Sequence, residues 1–138
     1  MASFVKYDQF VEDLGAAFHD FPNDTLKLAL TNTAPTVATD ALLADITEIA
    51  DGNGYSTGGG TVAGTTWSET AGTATLAGTD HVFTAAGGAI AQFRYVVLLN
   101  SSYAGSPLIA YWDYGSAVDV ATGETFTVDF GASILTVA

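Results

Sequence analysis

Residues 89–100 read AIAQFRYVVLLN. The first half alternates, with Ile90, Gln92 and Arg94 set against Phe93 and Tyr95. The second half, from Val96 to Leu99, is apolar without interruption. A period of two marks a β-strand. An apolar run with no polar face marks a strand covered on both sides, hence a central one. The fold is built outward from this segment.

Residues 101–107 form a loop, and residues 108–114 pair with the central strand as its antiparallel neighbour. Val118 and Val120 follow, then a turn at Thr122-Gly123. Phe126, Val128 and Phe130 alternate, and residues 134–137 close the chain. Upstream, Leu26, Leu28 and Leu30 alternate with Lys27, which predicts a half-buried strand over 25–31. Residues 61–67, 73–77 and 80–84 are further strand segments, separated by Gly72, Gly78 and the pair Gly87-Gly88. Eight or nine short strands with turns between them predict an all-β, antiparallel β-sandwich of jelly-roll type. A single domain over residues 1–138 is expected, with the sandwich at 25–138.

One helix is expected at the N-terminus. Counted from Tyr7, the apolar residues Phe10, Val11, Leu14 and Phe18 follow at three, four, seven and eleven, a helical stripe. Gly15 weakens its end and Pro22 stops it. The expectation is a short amphipathic helix over 4–18. Its face of Tyr7, Phe10, Leu14 and Phe18 either caps the sandwich or docks on a neighbouring subunit.

The composition narrows the function. The 138 residues carry 15 carboxylates against Lys6, Lys27 and Arg94, a net charge of −12. Nucleic-acid binding draws on clustered Lys and Arg, so no nucleic-acid partner is expected, and an anionic membrane surface would repel the chain. There are no cysteines, which removes disulfides and thiolate chemistry. The N-terminal MASFVKYDQF lacks an apolar core of secretory type, and no apolar run approaches a membrane span.

Residues 42–60, LLADITEIADGNGYSTGGG, pass from an apolar, acidic half into a glycine-rich half. Residues 41–49 fit one helical turn followed by a short strand; Leu42, Leu43, Ile46 and Ile49 keep helical spacing, and residues 47–49 also read as strand. Gly54-Tyr55-Ser56-Thr57-Gly58 matches G-x-S-x-G, but that elbow needs a strand before it and a helix after it. Glycines and a threonine-rich strand follow here. Asp80 and His81, the nominal partners of Ser56, are adjacent and point to opposite faces of a strand. Asp51-Gly52-Asn53 opens like a calcium loop but fails after two ligands, leaving Asp45, Glu48 and Asp51 as a weaker alternative. His19 and His81 lack zinc spacing; His19 is placed by a helix C-terminus, where positive charge is favoured. Tyr111, Trp112 and Tyr114 around Asp113 suit a sandwich wall or a subunit interface, with a sugar platform as the alternative. No catalytic residue, metal or cofactor is expected.

Several segments carry a resemblance when taken in order. They are LKLALTNTAP at 26–35, LADITEIA at 43–50, GNGYSTGG at 52–59, FRYVVL at 93–98 and WDYG at 112–115. Together they resemble small virion proteins of tailed bacteriophages. The resemblance implies a non-enzymatic structural role, with capsid decoration or cementing first. The chain would be made in the host bacterial cytoplasm and reside on the capsid surface. The implied partners are the major capsid protein and further copies of the chain, as a dimer or trimer. The alternative is a tail-associated or host-adhesion module that binds carbohydrate. The candidate interface comprises Tyr7, Phe10, Leu14, Phe18, Tyr55, Tyr111, Trp112 and Tyr114.

Overall fold

A computed structural model describes residues 2–138. The central strand is β7, Ile90–Asn100, and Val96 to Leu99 within it are wholly buried. It lies between β8, Leu108–Val120, and β2, Leu26–Thr31, both antiparallel to it. The sheet is completed at one edge by β1, Ser3–Lys6, and at the other by β3, Gly60–Thr61, in the order β1-β8-β7-β2-β3. A second layer consists of β10-β5-β4, with β4 at Thr66–Thr70, β5 at Thr73–Ala77 and β10 at Leu135–Val137, and of a ribbon pairing β6, His81–Thr84, with β9, Thr125–Val128. All pairings are antiparallel. The fold is an all-β, sandwich-like arrangement with one short helix.

Local chemistry explains the elements. The β4–β5 hairpin turns on Ala71 and Gly72, with φ of 52° and 84°. Two central residues at positive φ give the primed turn whose twist matches its strands. Facing rings tie the layers together: Phe93 lies 4.9 Å from Phe126, and Trp112 lies 5.7 Å from Phe130. At the far end of β7 the buried Asn100 amide donates to the Phe18 carbonyl at 3.2 Å and to Asp24 at 2.5 Å. It thereby fastens the crossover that leads from the helix into β2.

Two expectations are corrected. The helix over 4–18 is shorter, because residues 3–6 pair with β8 as β1 and the helix α1 spans Asp8–Gly15. A free sheet edge offers backbone hydrogen bonds that a first helical turn would have left open. The strand at 25–31 is buried on both faces, with Lys27 alone half-exposed, and is flanked by β7 and β3. At 41–49 a single 3-10 turn, Leu43–Asp45, is followed by one bridge between Thr31 and Glu48.

Tyr7 is fully buried and Phe10 is 3% exposed, both within the chain's own core. Phe10 lies against Phe21 and His19, with centroids 6.3 and 5.3 Å away. Truncating such a ring removes both its transfer free energy and its packing. Phe10→Ala is therefore expected to cost about 3–5 kcal/mol of folding stability, read as a lower denaturant midpoint with an unchanged slope. A loss of assembly in a fully stable Phe10→Ala chain would contradict this placement.

Candidate functional site

The sandwich has an open seam between the edge strands β1 and β10. A groove runs along it in two lobes that share Phe4. The first, about 500 Å³, is walled by Trp112, Tyr114, Phe130 and Ile134, with Thr127, Asp129 and Ser133 as polar lining. The second, about 310 Å³, lies between β1, α1 and β10 and is lined by Phe10, Val11, Leu14, Leu135 and Val137, with Lys6 at its rim. Phe4, Val11 and Val137 are three of the six large apolar side chains left exposed among the described residues. Their meeting in one groove makes a patch rather than the scattered apolar exposure of an ordinary surface.

The strand pattern sets what this edge offers. The Tyr7 amide donates to the Ile109 carbonyl at 3.1 Å. In an antiparallel ladder the bonding alternates, so Val5 and Ser3 also face β8 while Phe4 and Lys6 direct their backbone groups outward. The next outward amide, that of Asp8, is taken by the Val37 carbonyl at 3.2 Å. The free edge therefore comprises Phe4 and Lys6, directly over the groove. Phe4 and Trp112 face each other across the ladder, edge to face at 5.5 Å.

The eight candidate interface residues are distributed unevenly. Trp112 and Tyr114 wall the first lobe, and Leu14 lines the second. Burial pushes the Tyr114 phenol up to about 12, with Asp129 adding to the shift. Phe18 lies outside the groove, stacked 4.3 Å from Tyr103. Tyr111 is on the opposite face of β8, against Tyr7 and Tyr95. Tyr7, Phe10 and Tyr55 are buried by the chain itself and offer a partner almost no surface. Asp113 does not join Trp112 in a sugar platform, because alternation turns it to the other face. There it accepts from Arg94 at 2.8 and 3.0 Å and from the Gly115 amide at 2.8 Å. Phe4, Val11, Leu135 and Val137 stand outside the eight, because a helix over 4–18 puts its docking face on Tyr7, Phe10, Leu14 and Phe18.

The glycine-rich loop is a scaffold feature. Asn53 and Gly54, with φ of 58° and 106°, turn a tight hairpin closed by the Gly52–Tyr55 pair. Tyr55 then enters the core. Its hydroxyl accepts from the Leu30 amide at 3.1 Å and donates to the Glu48 carboxylate, which also accepts from Gly58 at 2.8 Å. Burial raises the Tyr55 phenol, and the bond to Glu48 adds to the shift. A β-carbon on Gly59 would run into the Leu28 backbone, so only glycine lets the loop lie on β2. Ser56 stands exposed in this hairpin. The acids considered as calcium ligands are engaged locally: Asp45 accepts from the Ala41 and Leu42 amides, and Asp51 from Thr57. Among the described residues no three metal-binding side chains converge.

His19 is not a charged cap at a helix end. It is stacked between Phe10 and Phe21, and burial lowers its pKa against the pull of Asp13 and Asp24. His81, packed on Phe83 and Gly60, is lowered for the same reason. Comparison with protein-family models, with curated proteins and with solved structures yields no match to this chain.

Two predictions follow from these contacts. Tyr55→Phe leaves the buried Leu30 amide without a partner and is expected to cost about 1–3 kcal/mol, measured by denaturant unfolding. For His19 the folded pKa lies below its unfolded value of about 6.5. The neutral form is favoured by folding, so its contribution is complete above that value and is lost as pH falls toward the folded pKa. The thermal midpoint should drop more steeply on acidification below about pH 6.5 in the parent than in His19→Gln. Identical slopes would remove His19 from the account.

Proposed function

We propose that this chain is a non-enzymatic virion structural protein, a capsid decoration or cement protein that binds the major capsid protein and associates with further copies of itself. The supporting observation is the aromatic and apolar groove at the open seam. A cementing role calls for a rigid fold and a surface that excludes water against a neighbour. The double-sided burial of β2 and β7 supplies the first, and the cluster of Phe4, Val11 and Val137 supplies the second. The resemblance of residues 26–35, 43–50 and 52–59 to small phage virion proteins supports the same role. A net charge of −12 suits an outward-facing shell component that avoids nucleic acid.

A second reading rests on the first lobe. Trp112 and Tyr114 beside Asp129, Thr127 and Ser133 combine an aromatic wall with polar acceptors, the chemistry of a carbohydrate subsite on a tail or host-adhesion module.

Light scattering on the purified chain and quantitative mass spectrometry of virions that carry it separate the two. Decoration predicts a discrete dimer or trimer, present at a copy number comparable to the major capsid protein. A monomer in a few copies per particle, with Trp112 fluorescence quenched by a glycan, would establish the adhesion reading instead.

A further inference from the structure

The groove and the free strand edge lie in the same place, and each alone would be incomplete as a binding site. An apolar groove without hydrogen-bonding groups sets no register. A free edge of two residues without a groove gives too few contacts. Here the outward backbone groups of Phe4 and Lys6 border a trough floored by aromatic and aliphatic side chains. We propose that the seam between β1 and β10 receives an extended segment of a protein partner. That segment adds as a strand to β1, with apolar residues on alternate positions and basic residues between them.

The occupant follows from shape and charge. A trough between two strands admits a single extended segment, whereas the flat face of a folded domain would bridge it and leave the floor uncovered. Main-chain pairing with alternate side chains in pockets is the mode by which sheet edges bind peptides. Asp129 lines the first lobe, whereas Asp8 and Glu12 of α1 line a separate hollow with Asp40. Among the described residues Lys6 is the one cation of the lining. The net charge of −12 attracts a basic segment and disfavours a second copy of the same chain at this seam. The inference deepens the proposed function by giving the partner surface its chemistry, and it rests on that reading for the identity of the partner.

A synthetic peptide of alternating valine and lysine serves as the probe. It should bind and should slow amide hydrogen exchange at Phe4 and Lys6. A peptide of equal composition, with valines and lysines in separate blocks, should bind far more weakly, and so should one with glutamate for lysine. Lys6→Pro removes an outward N–H while leaving the bonds to β8 in place. It should weaken binding about tenfold with an unchanged thermal midpoint. Equal binding of the block peptide, equal binding by a folded Lys6→Pro chain, or protection at sites away from β1 would each overturn the proposal. So would protection of Phe4 and Lys6 in the free chain at concentrations where it dimerises, since a second copy would then hold the edge. If Lys6→Pro fails to fold, the exchange pattern of the parent chain decides alone. Capsid binding that persists in Lys6→Pro would sink this inference and leave the decoration reading intact. Peptide binding without capsid binding would do the reverse.

Discussion

The structure depends on the double-sided burial of β7. Val96, Val97, Leu98 and Leu99 are all wholly buried, so each face of the strand must be covered and each backbone edge must be paired. β2 and β8 supply the edges. Buried peptide groups without partners are costly, which leaves little freedom in how these three strands associate. The flanking strands inherit the condition. β2 is apolar on both faces except at Lys27, and Leu108 to Ala110 of β8 are likewise buried. The second layer covers one face of this sheet, so the other must be covered by chain outside the two layers, and Val37, Leu43, Ile46 and Ile49 of the connecting segment pack against the core.

The parts legible in the sequence were those governed by this periodicity. The central strand, its partner β8, the alternation of Phe126 with Val128 and the closing strand all have patterns set by burial. The N-terminus was misread for a definable reason. Phe10, Val11 and Leu14 do lie on a helix, but Tyr7 is its extended N-cap residue and Phe4 fits the stripe by spacing alone. A free edge on β8 captured residues 3–6 instead. Long-range pairing of this kind leaves no trace in a local window. The groove escaped for the same reason, because its walls come from β1, β8, α1 and the C-terminal strand, remote from one another in the chain.

The glycine-rich loop shows how a suggestive motif can be absorbed by architecture. Its acids are used on the backbone: Glu48 accepts from Tyr55 and Gly58, Asp51 from Thr57, and Asp45 from two amides before the 3-10 turn. Hydrogen bonds from backbone N–H to a carboxylate are charge-assisted and stronger than neutral ones, so a loop poor in apolar residues can still be held firmly. Tyr55 joins that network to the core through the Leu30 amide. The glycines are needed where the chain touches β2, and Gly59 is the clearest case.

The open seam has a physical origin in the same side chains that line it. Two edge strands close a sandwich into a barrel when their backbones come within about 4.8 Å. Between β1 and the second layer stand Phe4, Trp112 and Phe130, with Trp112 5.5 Å from one ring and 5.7 Å from the other. Rings of this size, packed edge to face and tilted between β1 and the second layer, hold the strand edges apart. Trp112 and Phe130 are each 8% exposed, so the open form is not penalised by them, whereas Phe4 stays exposed. What stays unsatisfied is the strip between them: two outward backbone positions on β1 and the apolar side chains of Phe4, Val11 and Val137. Sheet edges left bare beside apolar surface are prone to pairing with another chain. This edge is kept short by the Asp8–Val37 bond at one end and carries Lys6, which limits pairing with arbitrary strands while leaving room for a complementary one.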